Sequence, residues 1–312
     1  MRPGSGPRRL FVVAALLLLL VPCGAAANPF ARGEDRPRSI LNIAHGGASS
    51  TAPQNTLAAG RKAFELGADV WGVDVRLTGD GVFVLMHDET LSRTTDVADR
   101  FPTRAPWRVD EFTVAEIRTL DAGSWFVRDD PFGQIEAGRV SRAELESFTG
   151  EPVPTLREAL ELVAEQRGLL DIEVKPSAAD PDRLARRLTD LIEATGTAER
   201  VMISSFDHDL LRAIQQVDPT LPTGALAIFS PSDPTSYLDS LGADVYLPSL
   251  VGYTNSLLEE LRAAGIAVHV WTYNGEGQLE RLAQTPGIRG IYTDFPQRLE
   301  PILERLGHDA DG

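Results

Sequence analysis

Two histidines, His45 and His87, each end a short apolar run, at residues 41–44 and 82–86. Imidazole is populated both neutral and protonated near neutral pH, so a histidine pair can take one proton and deliver another. Three further ionisable residues sit in apolar surroundings. Asp74 lies inside the run 69–77, and Glu173 and Lys175 alternate with apolar neighbours around residues 169–174. Alternate residues of a strand share a face, so Glu173 and Lys175 point the same way. A carboxylate buried without a partner is costly, so Asp74 needs a cation, a metal or Lys175 beside it. The set suits acid–base chemistry on an anionic substrate, with positive charge held nearby. The plainer alternatives are a structural Asp–Lys pair and hydrogen-bonded structural histidines. His208 and His269 lack comparable company and read as structural.

Strands must present these residues at one mouth. Strand-like runs at 41–44, 69–77, 169–174, 201–204, 223–227, 244–247, 267–271 and 290–292 alternate with helical patterns. The helices are expected at 53–66, 154–166, 183–194, 208–216, 234–241, 255–264, 277–283 and 296–305, with Thr155 and Glu158 forming a capping box. Residues 78–81, Thr-Gly-Asp-Gly, make a tight turn into a return strand at 82–86, which ends at His87. With that return arm set aside, eight strand–helix units remain. The expected fold class is therefore α/β, a (β/α)8 TIM barrel with an insertion subdomain after the second strand's hairpin. An open doubly wound sheet is the alternative, but no Gly-rich nucleotide loop follows the first strand. Residues 89–153 break the alternation and read as the insertion, with one short helix near 109–120. In a barrel the strands' C-terminal ends carry the chemistry. Besides the five residues above, those ends offer Ser204, Ser205, Thr272, Asn274, Thr293 and Asp294.

The chain has 312 residues, 43% hydrophobic and 24% charged, which is ordinary globular composition. Residues 1–27 read as a cleavable export signal: Arg2, Arg8 and Arg9, an apolar run at 10–21, then Ala25-Ala26-Ala27. A retained anchor helix is the alternative. Arg8-Arg9-Leu10-Phe11 fits the twin-arginine route as well as the general one. The product is expected to be exported, secreted or extracytoplasmic, with no stable membrane anchor after cleavage. Cys23, the only cysteine, leaves with the signal, so no disulfide is expected. Residues 28–39 read as a flexible leader, 40–307 as the barrel domain and 308–312 as a tail. Net charge is −15, and −18 without the three signal arginines, which disfavours nucleic acid and anionic membranes.

The motifs resemble, in order, those of the glycerophosphodiester phosphodiesterase family. They are His45-Gly46-Gly47-Ala48, Ala52-Pro53-Gln54-Asn55-Thr56-Leu57, Asp74-Val75-x-x-Thr78-x-Asp80-Gly81, and Val84-Leu85-Met86-His87-Asp88. Leu91-x-Arg93-Thr94-Thr95-Asp96, Asp121-Ala122-Gly123-Ser124-Trp125-Phe126, Ile172-Glu173-Val174-Lys175, Ser204-Ser205-Phe206, Trp271-Thr272-x-Asn274 and Thr293-Asp294-x-Pro296 continue the series. The resemblance implies a secreted-type barrel enzyme of lipid and glycerol metabolism. It would hydrolyse small-molecule glycerophosphodiesters to glycerol 3-phosphate and an alcohol. It implies His45 and His87 as catalytic residues, Asp74 and Glu173 as ligands of a divalent metal ion, calcium or magnesium, and Lys175 and Trp271 as substrate-binding residues. The attacker it implies is the substrate's own glycerol hydroxyl, through a cyclic phosphate that water opens.

Three positions depart from the family pattern. Gly46 stands where the family has Arg, Gln54 where it has Glu, and Gly72 where it has the first Glu of Glu-x-Asp. One of three metal ligands is thus absent, and a weaker or displaced metal is expected. Alternatives to an active hydrolase are an impaired barrel that binds phosphodiesters without turnover and a related phospholipase.

Overall fold

Nine strands buried almost throughout, as parallel strands covered on both faces must be, make up the sheet of the computed structural model, which describes residues 28–31, 40–249 and 251–309. The expected export signal lies outside these residues, as do positions 32–39 of the expected leader. The strands are β1 (Leu41–His45), β2 (Val70–Leu77), β3 (Phe83–Leu85), β4 (Leu169–Val174), β5 (Val201–Ser205), β6 (Thr223–Ala227), β7 (Val245–Pro248), β8 (Ala267–Val270) and β9 (Ile288–Thr293). Their order is β1-β9-β8-β7-β6-β5-β4-β2-β3, and β1 also pairs with β2. That pairing closes eight parallel strands into a barrel, while β3 runs antiparallel on the outside of the count, with Val75 opposite Leu85. The expected (β/α)8 barrel is what the chain forms.

One face of each strand packs outward. Trp71, Val73 and Val75 of β2 and Leu170, Ile172 and Val174 of β4 join the helices Leu156–Gln166, Pro181–Thr195 and His208–Val217 in one apolar layer. A second such layer covers β6 to β9. The other face fills the lower barrel with Leu41, Ile43, Val70, Leu169, Met202, Val245 and Ala267. Thr155 caps the helix Leu156–Gln166 through the expected box with Glu158.

Two expectations change. The start of the expected flexible leader is part of the fold: Phe30 is 1% exposed, packs among the lower-barrel side chains, and accepts a hydrogen bond on its carbonyl from His269 Nε2 at 3.0 Å. Burying an aromatic ring of that size offsets part of the entropy lost on ordering residues 28–31. The expected helix at 109–120 is instead a 3-10 turn, Val109–Glu111, and a short helix, Val114–Ile117. The insertion carries three more short helices, Val97–Arg100, Ser124–Asp129 and Arg142–Phe148, over its own apolar clusters. The closing helix runs Pro296–Asp309, longer than expected, and takes in the start of the expected tail. No helix among the described residues is long and apolar enough to cross a membrane.

Candidate active site

His45 is the last residue of β1, where two glycines turn the chain away. Gly46 has φ +65° and Gly47 φ +91°, a region other residues adopt only with strain. His45 Nδ1 lies 2.8 Å from Asp294 Oδ1, one residue beyond β9. Asn274 Nδ2 donates to the other Asp294 oxygen at 2.7 Å, and the Asp294 amide donates to Asn274 Oδ1 at 2.9 Å. A proton on Nδ1 can be donated to Asp294, which leaves Nε2 of His45 without that partner. Burial alone would lower the His45 pKa. Asp294, and then Asp74 and Glu173, outweigh that and raise it above 6.5.

The hairpin carries His87 back over the same mouth. Thr78 Oγ1 donates to Asp80 Oδ1 at 2.6 Å and the Gly81 amide to the Thr78 carbonyl at 2.8 Å, closing the turn. Beyond β3, the Met86 amide donates to the Asp74 carbonyl at 2.9 Å, and Arg76 Nε donates to the His87 carbonyl at 3.0 Å. His87 Nδ1 lies 2.7 Å from Asp88 Oδ1, and Arg93 grips Asp88 through Nε at 2.6 Å and Nη2 at 3.0 Å. Both histidines are therefore oriented by a carboxylate on the same ring nitrogen.

Between them lies a row of charges set by strand register. Asp74 of β2 pairs with Glu173 of β4, and Glu173 with Ser204 of β5. Lys175 Nζ is 2.6 Å from Asp74 Oδ1 and also donates to Glu173. Asn55 holds the other side of Asp74, donating to Oδ2 at 2.8 Å and accepting from the Asp74 amide at 3.0 Å. Burial would raise the Asp74 pKa, but Lys175, with His87 and His45, holds it well below the usual carboxylate range. Lys175 is correspondingly raised: burial works against its charge and the two carboxylates prevail. Glu173 is pushed up, first by burial and then by Asp74.

One layer deeper lies a group that sequence reasoning missed. Asp171 pairs in register with Gly72 and accepts hydrogen bonds on Oδ2 from Tyr292 and from Ser204, the latter at 3.1 Å. Its Oδ1 is buried with no hydrogen-bond partner among the described residues. Burial first, and then Glu173 and Asp74, push Asp171 up to about 7 against the pull of Tyr292 and Ser204. Period-two spacing from Asp171 through Glu173 to Lys175 was the available signal.

These strand ends enclose a cavity of about 110 Å3 lined by His45, His87, Asp171, Glu173, Lys175, Trp271, Tyr292 and apolar Phe206, Leu226 and Leu247. Trp271 packs edge-on against Phe206 and donates Nε1–H to the Leu247 carbonyl at 2.9 Å. The five expected charged and catalytic residues and Trp271 are thus brought to one mouth. Ser205 is not: it turns outward and donates to the Val174 carbonyl at 2.7 Å. Thr293 bonds to Asn274 at 3.2 Å and only supports Asp294. His208 and His269 are structural, His208 bonding Tyr237 and the Leu226 carbonyl. The motif at 121–126 is also structural: Asp121 accepts from Gly123, Ser124 and Gly150, and a side chain at 123 would collide with the Phe148 carbonyl at 1.8 Å.

The residues present do not fit a divalent metal as the family resemblance implies. Lys175's ammonium lies against both expected ligands, Asp74 and Glu173. Gly72 offers no third ligand, and a Cβ there would already press on Tyr292 Cε1 at 3.2 Å. Among the described residues no three His, Cys, Asp or Glu side chains are arranged to hold a metal ion.

Fold and site together define an eight-stranded barrel whose mouth holds two carboxylate-oriented histidines and a lysine ammonium. The model of the glycerophosphoryl diester phosphodiesterase family matches residues 45–298, and the chain belongs to that family. It is 34% identical over 267 residues to a glycerophosphodiester phosphodiesterase of Caldanaerobacter subterraneus, covering 86% of this chain and 99% of that one. Among solved structures, it resembles a family member from Silicibacter pomeroyi with a TM-score of 0.74 and 29% identity, covering 87% of this chain and 95% of that one. An Oleispira antarctica phosphodiesterase bound to the product sn-glycerol-3-phosphate gives a TM-score of 0.72 and 26% identity, over 84% of this chain and 96% of that one.

Proposed function

We propose that this protein hydrolyses small glycerophosphodiesters to glycerol 3-phosphate and an alcohol, with His45 as general acid and His87 as general base. The observation that carries this is the placement of two carboxylate-oriented histidines around one cavity that also holds Lys175. His87 takes the proton of the attacking hydroxyl, either the substrate's glycerol hydroxyl or water. The oxygen attacks phosphorus, the bond to the leaving alcohol breaks, and His45 gives that oxygen a proton; where the attacker is the glycerol hydroxyl, water then opens the cyclic phosphate, adding to phosphorus as the ring P–O bond breaks and that oxygen is reprotonated, to give glycerol 3-phosphate. His45's raised pKa, set by Asp294, favours the protonated form an acid needs. Lys175 faces the negative charge that gathers on the phosphoryl oxygens. The two carboxylates that the family resemblance gives to a metal orient Lys175 in this reading. The product complex of the Oleispira relative supports a small molecule as substrate.

The pattern Arg2, Arg8, Arg9, apolar run and Ala25-Ala26-Ala27 supports export, so substrate would be met outside the cytoplasm. N-terminal sequencing of protein recovered from the medium or cell envelope checks this; an intact Met1 there contradicts cleavage. The functional test is product analysis on a panel of glycerophosphocholine, glycerophosphoethanolamine, glycerophosphoglycerol and lysophosphatidylcholine. Glycerol 3-phosphate from the first three supports the reading, and turnover of the lysolipid alone supports a phospholipase instead.

A further inference from the structure

The arrangement around Lys175 carries a consequence for the cation of this site. Resting on the hydrolase reading above, we propose that the site takes no divalent metal ion, and that the Lys175 ammonium is its resident cation. Three observations converge. Lys175 Nζ lies 2.6 Å from Asp74 Oδ1, also bonds Glu173, and its side chain is only 10% exposed. Asp74's second oxygen is taken by Asn55 at 2.8 Å. The third ligand is missing: Gly72 has no side chain, and a Cβ there would press on the ring of Tyr292 at 3.2 Å, which is tied through its hydroxyl to Asp171.

The charge count agrees. Asp74, Glu173 and Lys175 together leave one negative charge, where a hard cation needs several oxygen donors with charge to spare. An ammonium supplies one positive charge and three donors in a fixed place. A phosphodiester carries a single negative charge, so one ammonium and one protonated histidine suffice to meet it and the charge that develops on it. Arg is also absent at position 46, next to His45. Without it, Lys175 is the charged ammonium or guanidinium group that lines the cavity beside His45 and His87.

The test joins calorimetry to turnover on the purified protein stripped with chelator. Titration with calcium or magnesium chloride to about 5 mM, beyond the range of weak extracellular calcium sites, is expected to give no saturable binding. Turnover of glycerophosphocholine in excess chelator should stay within about twofold of that with added metal, against the roughly hundredfold loss expected where a cation stabilises the transition state. Lys175→Met frees both carboxylates, so it should lose turnover and gain saturable calcium binding. Gly72→Glu alone should gain none, because Tyr292 and Lys175 remain. Lys175→Gln serves if the methionine variant does not fold. Saturable binding of either metal by the wild type overturns the inference, as does chelator-sensitive turnover that the metal restores. Absence of turnover under every condition would refute the hydrolase reading, while the titration still decides the cation.

Discussion

Asp294→Asn isolates the acid role assigned to His45. Asp294 Oδ1 is 2.8 Å from His45 Nδ1, and the interaction raises the imidazole's pKa against a burial that lowers it. Unit charges at such separations interact by about 4 kcal/mol at an effective dielectric of about 20. His45's side chain is 38% exposed, and solvent screening brings the expected contribution down to about 1–2 kcal/mol. At 1.36 kcal/mol per pH unit, that is about one unit. The amide is nearly isosteric, but its NH2 faces either Asn274 Nδ2 or His45 Nδ1, so it also loosens the tautomer. The assay is kcat/KM for glycerophosphocholine from pH 5 to 10. A protonated acid is lost as pH rises through its pKa, so it sets the alkaline limb. That limb should move down by about one unit in the variant, with a maximum about tenfold lower or less. An unmoved alkaline limb, or a shift confined to the acid limb, would refute the assignment.

Three other perturbations follow from the same geometry. Gly46→Arg should not improve kcat/KM and should lower the denaturant midpoint by the equivalent of about 1–2 kcal/mol, because position 46 has φ +65° and a Cβ there meets Ser49 Oγ at 2.8 Å; a faster variant of unchanged stability contradicts this. Phe30→Ala should cost about 3–5 kcal/mol in chemical denaturation through loss of the ring from the lower barrel, and a cost below about 1 would show that residues 28–31 are not part of the core. Asp171→Asn should raise the melting temperature at pH 8 and have little effect at pH 4. A carboxyl pushed up to about 7 contributes stability when protonated and loses it as pH rises through that value, a dependence the amide lacks. Equal shifts at both pH values would contradict the burial of an ionising group there.

Much of the molecule was legible because its signals are local. Alternation of residue types marked β2 and the charged face of β4, the Thr-Gly-Asp-Gly turn marked the hairpin, and Thr155 with Glu158 marked a helix start. Asp74's need for a cation was readable from its apolar setting, and of the partners considered the structure uses Lys175. What was not legible depends on distant pairing. Asp294 reaches His45 across 249 positions, and Tyr292 reaches Asp171 across 121, so neither leaves a spacing to read. Phe30 gave no periodicity because a single ring does its work. The insertion's helices span only four to seven residues, too few turns for an apolar stripe to repeat.

The histidine pair is the centre of the account, and it is tested most directly by release of glycerol 3-phosphate from glycerophosphocholine by the wild type, His45→Ala and His87→Ala, each checked for fold by circular dichroism. Turnover by the wild type and a loss of at least about a hundredfold in each variant is the expected result. Wild-type turnover that survives either substitution would remove that histidine from the chemistry, and a wild type that binds the substrate without releasing glycerol 3-phosphate would contradict the account as a whole.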